Sequence, residues 1–142
     1  MSSEPTSLEL KNDLAELSRL VETIEAFGAD HGLPPDAVMQ LNVALEEIVT
    51  NIIEYGFDGG GHTIRIQFSM RGERLTVTVA DDGRAFDPLA RADPDVAAAL
   101  EDRPIGGLGI HLVKTMMDDV EYARVDGHNV LTLIKHIAIK ND

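Results

Sequence analysis

The feature that most narrows the fold of this chain is a change of hydrophobic period between residues 41 and 79. Leu41, Leu45, Ile48 and Ile52 recur at helical spacing, and Ala44, Val49, Ile53 and Tyr55 widen the stripe. Gly56 and then Asp58-Gly59-Gly60-Gly61 end that pattern in a loop. Beyond it Ile64, Ile66, Phe68 and Met70 alternate with polar residues. Arg71-Gly72-Glu73 reads as a short turn, and Leu75, Val77 and Val79 alternate again. A helix with one apolar side, followed by a hairpin with one apolar face, predicts a helical layer packed on antiparallel strands.

The flanks extend this pattern. Residues 1–6 read as loose, and residues 7–10 as a short first strand. Asn12 or Asp13 is placed to cap a helix that carries Leu14, Leu17, Leu20, Val21, Ile24 and Phe27 and ends near Gly32. Leu33-Pro34-Pro35-Asp36 breaks that helix and starts the next, which runs to about Tyr55. Residues 83–107 read as a long loop with Pro88, Pro94 and Pro104, and such loops inside a small domain are usually functional or mobile. Gly106-Gly107-Leu108-Gly109 opens into an amphipathic helix of Ile110, Leu112, Val113, Met116 and Met117. Residues 120–125 read as a strand, Gly127-His128-Asn129 as a tight turn, and residues 130–139 as a last strand. No repeat or low-complexity segment interrupts the 142 residues, which predict one domain.

Charge and composition exclude some functions. The net charge is −13, from 25 acids against 12 bases, which argues against a sequence-independent grip on nucleic acid or an anionic membrane. There is no cysteine, so thiol chemistry and disulfides are absent. No apolar run reaches the length of a membrane span, and the first residues lack the pattern of a secretion signal, so a cytoplasmic location is expected.

Three local features carry chemistry. Glu47 and Asn51 are i, i+4 neighbours, so a carboxylate and a carboxamide share one helix face at the edge of the apolar stripe. They are either a solvated pair or a base beside a neutral oxygen ligand for a hard cation. Asp81 continues the buried parity of Leu75, Val77 and Val79. Either the strand has ended and Asp81 starts a turn through Asp82-Gly83, or a carboxylate lies at the floor of a pocket and needs a donor. The glycines at 106, 107 and 109 open a helix and leave backbone N–H groups for an anion, although glycine also serves as ordinary helix punctuation.

The ordered set is Glu-x-x-x-Asn on a helix, a hairpin, Asp-x-Gly at a strand end, a long loop, then Gly-x-Gly opening a helix. In type, order and spacing it resembles the GHKL (Bergerat-fold) ATPases over roughly residues 7–137. Within them it most resembles the anti-sigma-factor serine kinases of bacterial partner-switching systems. The resemblance implies an α/β two-layer sandwich, with a mixed, mostly antiparallel sheet and helices on one face. It implies ATP and Mg²⁺ as cofactors. Asn51 would hold Mg²⁺, Glu47 would be the general base, and Asp81 would accept the adenine amino group. Gly83 and Ala85 would lie against the nucleotide, the N–H groups of Gly107, Leu108 and Gly109 would cradle the phosphates, and residues 87–106 would form the lid. Arg103 is a candidate contact to the terminal phosphate, with a solvated loop arginine as the competing reading. Arg19 is either a partner contact or an exposed arginine.

The sequence departs from the family pattern at Tyr55 (often His), at Ala85 (often Gly) and at Asn129-Val130, where Gly-Thr is common; Thr132 is a possible substitute for that threonine. Two functions follow from the resemblance. One is a kinase that phosphorylates an anti-anti-sigma (STAS-type) protein and sequesters a sigma factor. The other is an ATP-loaded partner switch without phosphoryl transfer. A nucleotide-free adaptor is a third. A homodimer is implied by the family alone.

Overall fold

The structure is a computed structural model that describes residues 6–56, 61–85 and 113–138. Five strands form one sheet: β1 (Thr6–Lys11), β2 (Thr63–Arg71), β3 (Arg74–Asp81), β4 (Asp119–Val125) and β5 (His128–His136), in the order β1-β2-β3-β5-β4. All four pairings are antiparallel, so the mixed character expected from sequence does not appear among the described residues. Two helices, α1 (Leu17–His31) and α2 (Pro35–Tyr55), lie between β1 and β2 in the chain.

The period-two pattern decides which face is covered. Leu8 and Leu10 of β1, Ile64, Ile66, Phe68 and Met70 of β2, Leu75, Val77 and Val79 of β3, and Leu131 and Leu133 of β5 are all buried. They form one cluster with Leu20, Ile24 and Phe27 of α1 and Leu41, Leu45, Ile48 and Val49 of α2. The opposite parity, including Glu9, Arg65 and Gln67, stays exposed. Glu9 and Arg65 sit opposite each other and pair at 2.9 Å, a solvent-screened contact that adds little stability. The two layers are thus built by alternation in the strands and a stripe on each helix.

The two hairpins are closed by two-residue turns. Gly72 takes φ 58° at the first turn position between β2 and β3. Between β4 and β5, Asp126 and Gly127 take φ 51° and 79°, and Val125 pairs with His128. An Asp-Gly dipeptide favours this left-handed pair of conformations, whose twist matches the strands. The turn therefore lies at residues 126–127 and not at 127–129 as the sequence reading placed it. Asn129 consequently belongs to β5.

The first helix starts as expected, with a correction. The Asp13 carboxylate accepts the Ala15 N–H at 3.0 Å and caps a 3-10 turn, Leu14–Glu16, that runs directly into α1. Leu14 is 47% exposed there instead of joining the stripe. Glu16 accepts the Lys11 N–H at 3.0 Å and Arg19 Nη1 at 3.1 Å. These donors, the Lys11 N–H first and the Arg19 side chain next, hold its carboxyl below the ordinary value. Pro35 opens α2, where a missing N–H costs nothing, and the 21 residues of the helix span about 30 Å.

Gly28 sets the approach of the two helices. A Cβ built there would lie 2.7 Å from Val38 Cγ2 on α2. Alanine gains about 1 kcal/mol of helix propensity over glycine, but overpacking against a stiff β-branched neighbour costs about 1–3 kcal/mol. Gly28→Ala is expected to lower stability by about 1 kcal/mol in urea denaturation. In a Val38→Ala background the same change should become neutral or stabilising. A gain in the unmodified chain would show that Val38 yields without cost.

Candidate functional site

The second helix and the inner face of β3, β5 and β4 line a narrow cleft, partly open to solvent, with a cavity volume of about 30 Å³. Its walls are apolar: Ile48 and Ile52 from α2, Val79 from β3 and Leu131 from β5. Its polar groups are few and placed apart, Glu47 and Asn51 on the helix and Asp81, Asn129 and Tyr122 on the sheet. Apolar walls with a few fixed polar groups are the usual character of a small-molecule site.

Helical spacing brings Glu47 and Asn51 together, and both are half-buried. Asn51 Nδ2 donates to Glu47 Oε1 at 3.4 Å, a long bond that leaves the Asn51 carbonyl oxygen as an acceptor with no described donor. The pair is not on a fully solvated face; it borders the cleft.

Asp81 shows that both readings of its position hold in part. It is the last residue of β3, opposite Ile64 on one side and Asn129 on the other, and only 4% exposed. It also starts the turn, because its Oδ1 accepts the Gly83 N–H at 2.8 Å. The same oxygen accepts Asn129 Nδ2 at 3.1 Å. Among the described residues no donor reaches Oδ2. That oxygen is not fully buried: it faces open space, where it can accept a ligand N–H.

The chain beyond Asp81 is held from three sides. The Arg84 N–H donates to the Gly56 carbonyl at 3.1 Å, which ties the end of α2 to this turn. Arg124 Nη1 donates to the Gly83 carbonyl at 2.9 Å, and Asn129 Nδ2 to the Arg84 carbonyl at 2.8 Å. Gly56 lines the cleft, and a Cβ there would meet the Ile52 carbonyl oxygen at 2.7 Å, so the close approach excludes a larger residue without backbone movement. Gly83 is buried and Ala85 exposed, and neither lines the cleft.

Of the expected site residues, Glu47, Asn51 and Asp81 are brought to one cleft, with Gly83 in the turn that follows. Gly107, Leu108, Gly109, Arg103 and the segment 87–106 lie outside the described residues. Thr132 does not replace the family's threonine, since it has the opposite parity to Asn129 and pairs with Thr78 and Glu121 away from the cleft face. Asn129 takes the place beside Asp81. Arg19 is half-exposed and bonded to Glu16 and the Glu9 carbonyl. Gly56, Tyr122 and Arg124 were missed as site residues, although the alternation of Val120 and Tyr122 could have placed Tyr122 on the inner face.

Two further observations bear on ligands. No group of three or more His, Cys, Asp or Glu able to hold a metal occurs among the described residues. A cation here would need most of its ligands from a bound anion and water, as Mg²⁺ with a nucleotide does. No helix among the described residues is long and apolar enough to cross a membrane.

The histidine kinase-like ATPase domain family matches residues 10–135. The serine/threonine-protein kinase BtrW of Bordetella bronchiseptica is 31% identical over 140 residues, covering 97% of this chain and 98% of that protein. The serine-protein kinase RsbW of Bacillus cereus is 31% identical over 117 residues, covering 78% and 73%. The crystal structure of the RsbU and RsbW domains of Rv1364c from Mycobacterium tuberculosis has a similar fold, with a TM-score of 0.68 at 14% identity. That match covers 95% of this chain and 33% of the other.

Proposed function

We propose that this chain, which belongs to the histidine kinase-like ATPase family and within it to the serine-protein kinases typified by BtrW and RsbW, is an ATP-dependent protein-serine kinase acting on a regulatory partner. The observation that carries this reading is the placement of Glu47 and Asn51 across one apolar cleft from Asp81, whose Oδ2 lacks a described donor. Asp81 would take the adenine amino group, and the walls of Ile48, Ile52, Val79 and Leu131 would take the ring. Gly83 and Ala85 would border the nucleotide. The backbone N–H groups of Gly107, Leu108 and Gly109 would hold the phosphates.

Asn51 would ligate Mg²⁺ through its side-chain oxygen. The bound Mg²⁺–ATP supplies the phosphoryl group and neutralises charge that develops on it. Glu47 would accept the proton of the partner's serine hydroxyl as that oxygen bonds phosphorus and the bond to ADP breaks. Water exclusion by the apolar walls strengthens these contacts.

The partner is proposed to be an anti-anti-sigma protein of the STAS type, with a sigma factor as the protein sequestered. A homodimer is the proposed assembly, and the cytoplasm the proposed location. The charge of −13 speaks against direct nucleic-acid or anionic-membrane binding.

Calorimetry with and without Mg²⁺ tests the site. The intact chain should bind ATP more tightly with Mg²⁺, and Asn51→Ala should lose about 10- to 100-fold of affinity, nearly all of it the Mg²⁺-dependent part. The urea midpoint should change little, since Asn51 is half-buried and outside the core cluster. An unaltered Mg²⁺ dependence would remove Asn51 as the ligand.

A further inference from the structure

Four hydrogen bonds fix the orientation of the Asn129 carboxamide. Its oxygen accepts the Tyr122 hydroxyl at 2.5 Å and Arg124 Nη1 at 3.1 Å. Its nitrogen donates to Asp81 Oδ1 at 3.1 Å and to the Arg84 carbonyl at 2.8 Å. A guanidinium only donates, and a carboxylate and a carbonyl only accept, so turning the amide over would break three of these bonds. The strand register makes the arrangement. Asp81 pairs with Asn129, which pairs with Arg124, and Tyr122 follows on the same face two residues earlier in β4. Asn129 is 6% exposed, and a satisfied buried network of this kind rigidifies its members.

This arrangement limits what the cleft can read. Asn129 has no amide hydrogen left for a keto oxygen and no lone pair left for an amino group. The Gly83 N–H and Asn129 both bond Asp81 Oδ1, so they fix the carboxylate and leave Oδ2 as an acceptor. A ligand that offers an amino group satisfies that oxygen. A ligand that offers a keto group sets two acceptors against each other and leaves that carboxylate oxygen unpaired.

We propose that Asn129, held by Tyr122 and Arg124, is the positioning residue for nucleobase choice, setting Asp81 to accept a 6-amino purine and refuse a 6-keto purine. This rests on the reading of the cleft as an ATP site. Asn129 acts through Asp81 and does not itself contact the base.

The test is calorimetric titration of the full chain, with Mg²⁺, against ATP and inosine triphosphate, which carries a keto group where ATP has the amino group. The intact chain should prefer ATP by about 100-fold or more. Asn129→Leu should reduce that ratio at least about 10-fold, by weakening ATP while inosine triphosphate changes little. Tyr122→Phe keeps the ring in the cleft and deletes one of the two donors to Asn129; it should reduce the ratio about 3-fold with little change in urea stability. A purely structural role would weaken both nucleotides together and leave the ratio intact. If Asn129→Leu does not fold, Tyr122→Phe decides, and an unchanged ratio overturns the proposal. An intact chain that binds ATP selectively, with variants that keep the selectivity, overturns the role of Asn129 alone. An intact chain that binds neither nucleotide overturns the ATP reading and this proposal with it.

Discussion

Asp81→Asn is expected to abolish ATP binding, with a loss of about 1000-fold or more, and to leave the fold intact. The size of the effect follows from a change of sign rather than a deletion. The Gly83 N–H and Asn129 Nδ2 both need an acceptor at the position of Oδ1. The oxygen of the new carboxamide must take that position, which puts its NH₂ where Oδ2 stood. A donor then faces the amino group of adenine. Stability should fall by no more than about 1 kcal/mol, because both local bonds are kept and a buried charge is removed. The same substitution should improve binding of inosine triphosphate, whose keto group suits a donor. Calorimetry with both nucleotides decides the matter, and an ATP affinity within about 10-fold of the intact chain would take Asp81 out of base recognition.

The prominence of Asp81 was legible in the sequence because strand parity is a strong signal. Leu75, Val77 and Val79 are buried as their alternation predicts, and Asp81 follows them inward. The Glu47 and Asn51 pair was legible for a similar reason, since i, i+4 spacing fixes a shared face wherever a helix forms. The network behind Asp81 was not. Its members come from β4 and β5, far along the chain, and their meeting depends on the register of one hairpin. Reading the turn as 127–129 took Asn129 out of the strand and so out of the row that contains Asp81. The Asp126-Gly127 dipeptide, the stronger hairpin signal, would have given the right register. Arg124 left no such sign, because an arginine that bonds a backbone carbonyl has no sequence pattern. Gly56 read as a helix terminator, which it is, but its carbonyl also accepts the Arg84 N–H.

Glu47→Gln should separate binding from chemistry. Transfer of phosphate to the serine of a partner protein is expected to fall by about 100- to 10,000-fold, the usual contribution of a positioned base. ATP affinity should stay within about 3-fold of the intact chain, because the size of the side chain is unchanged and the glutamine oxygen can still accept Asn51 Nδ2. Glutamine is therefore a better probe than alanine, which would also remove the acceptor of Asn51 Nδ2. The amide nitrogen, unlike the carboxylate oxygen it replaces, has no lone pair for a proton. A fall in kcat with the ATP requirement unchanged is the signature of a group needed only as the bond forms. Transfer at full rate by Glu47→Gln would show that the proton goes elsewhere. An intact chain that binds ATP and its partner but transfers nothing would identify the partner switch without phosphoryl transfer, in which Glu47 serves to hold Asn51 for the metal.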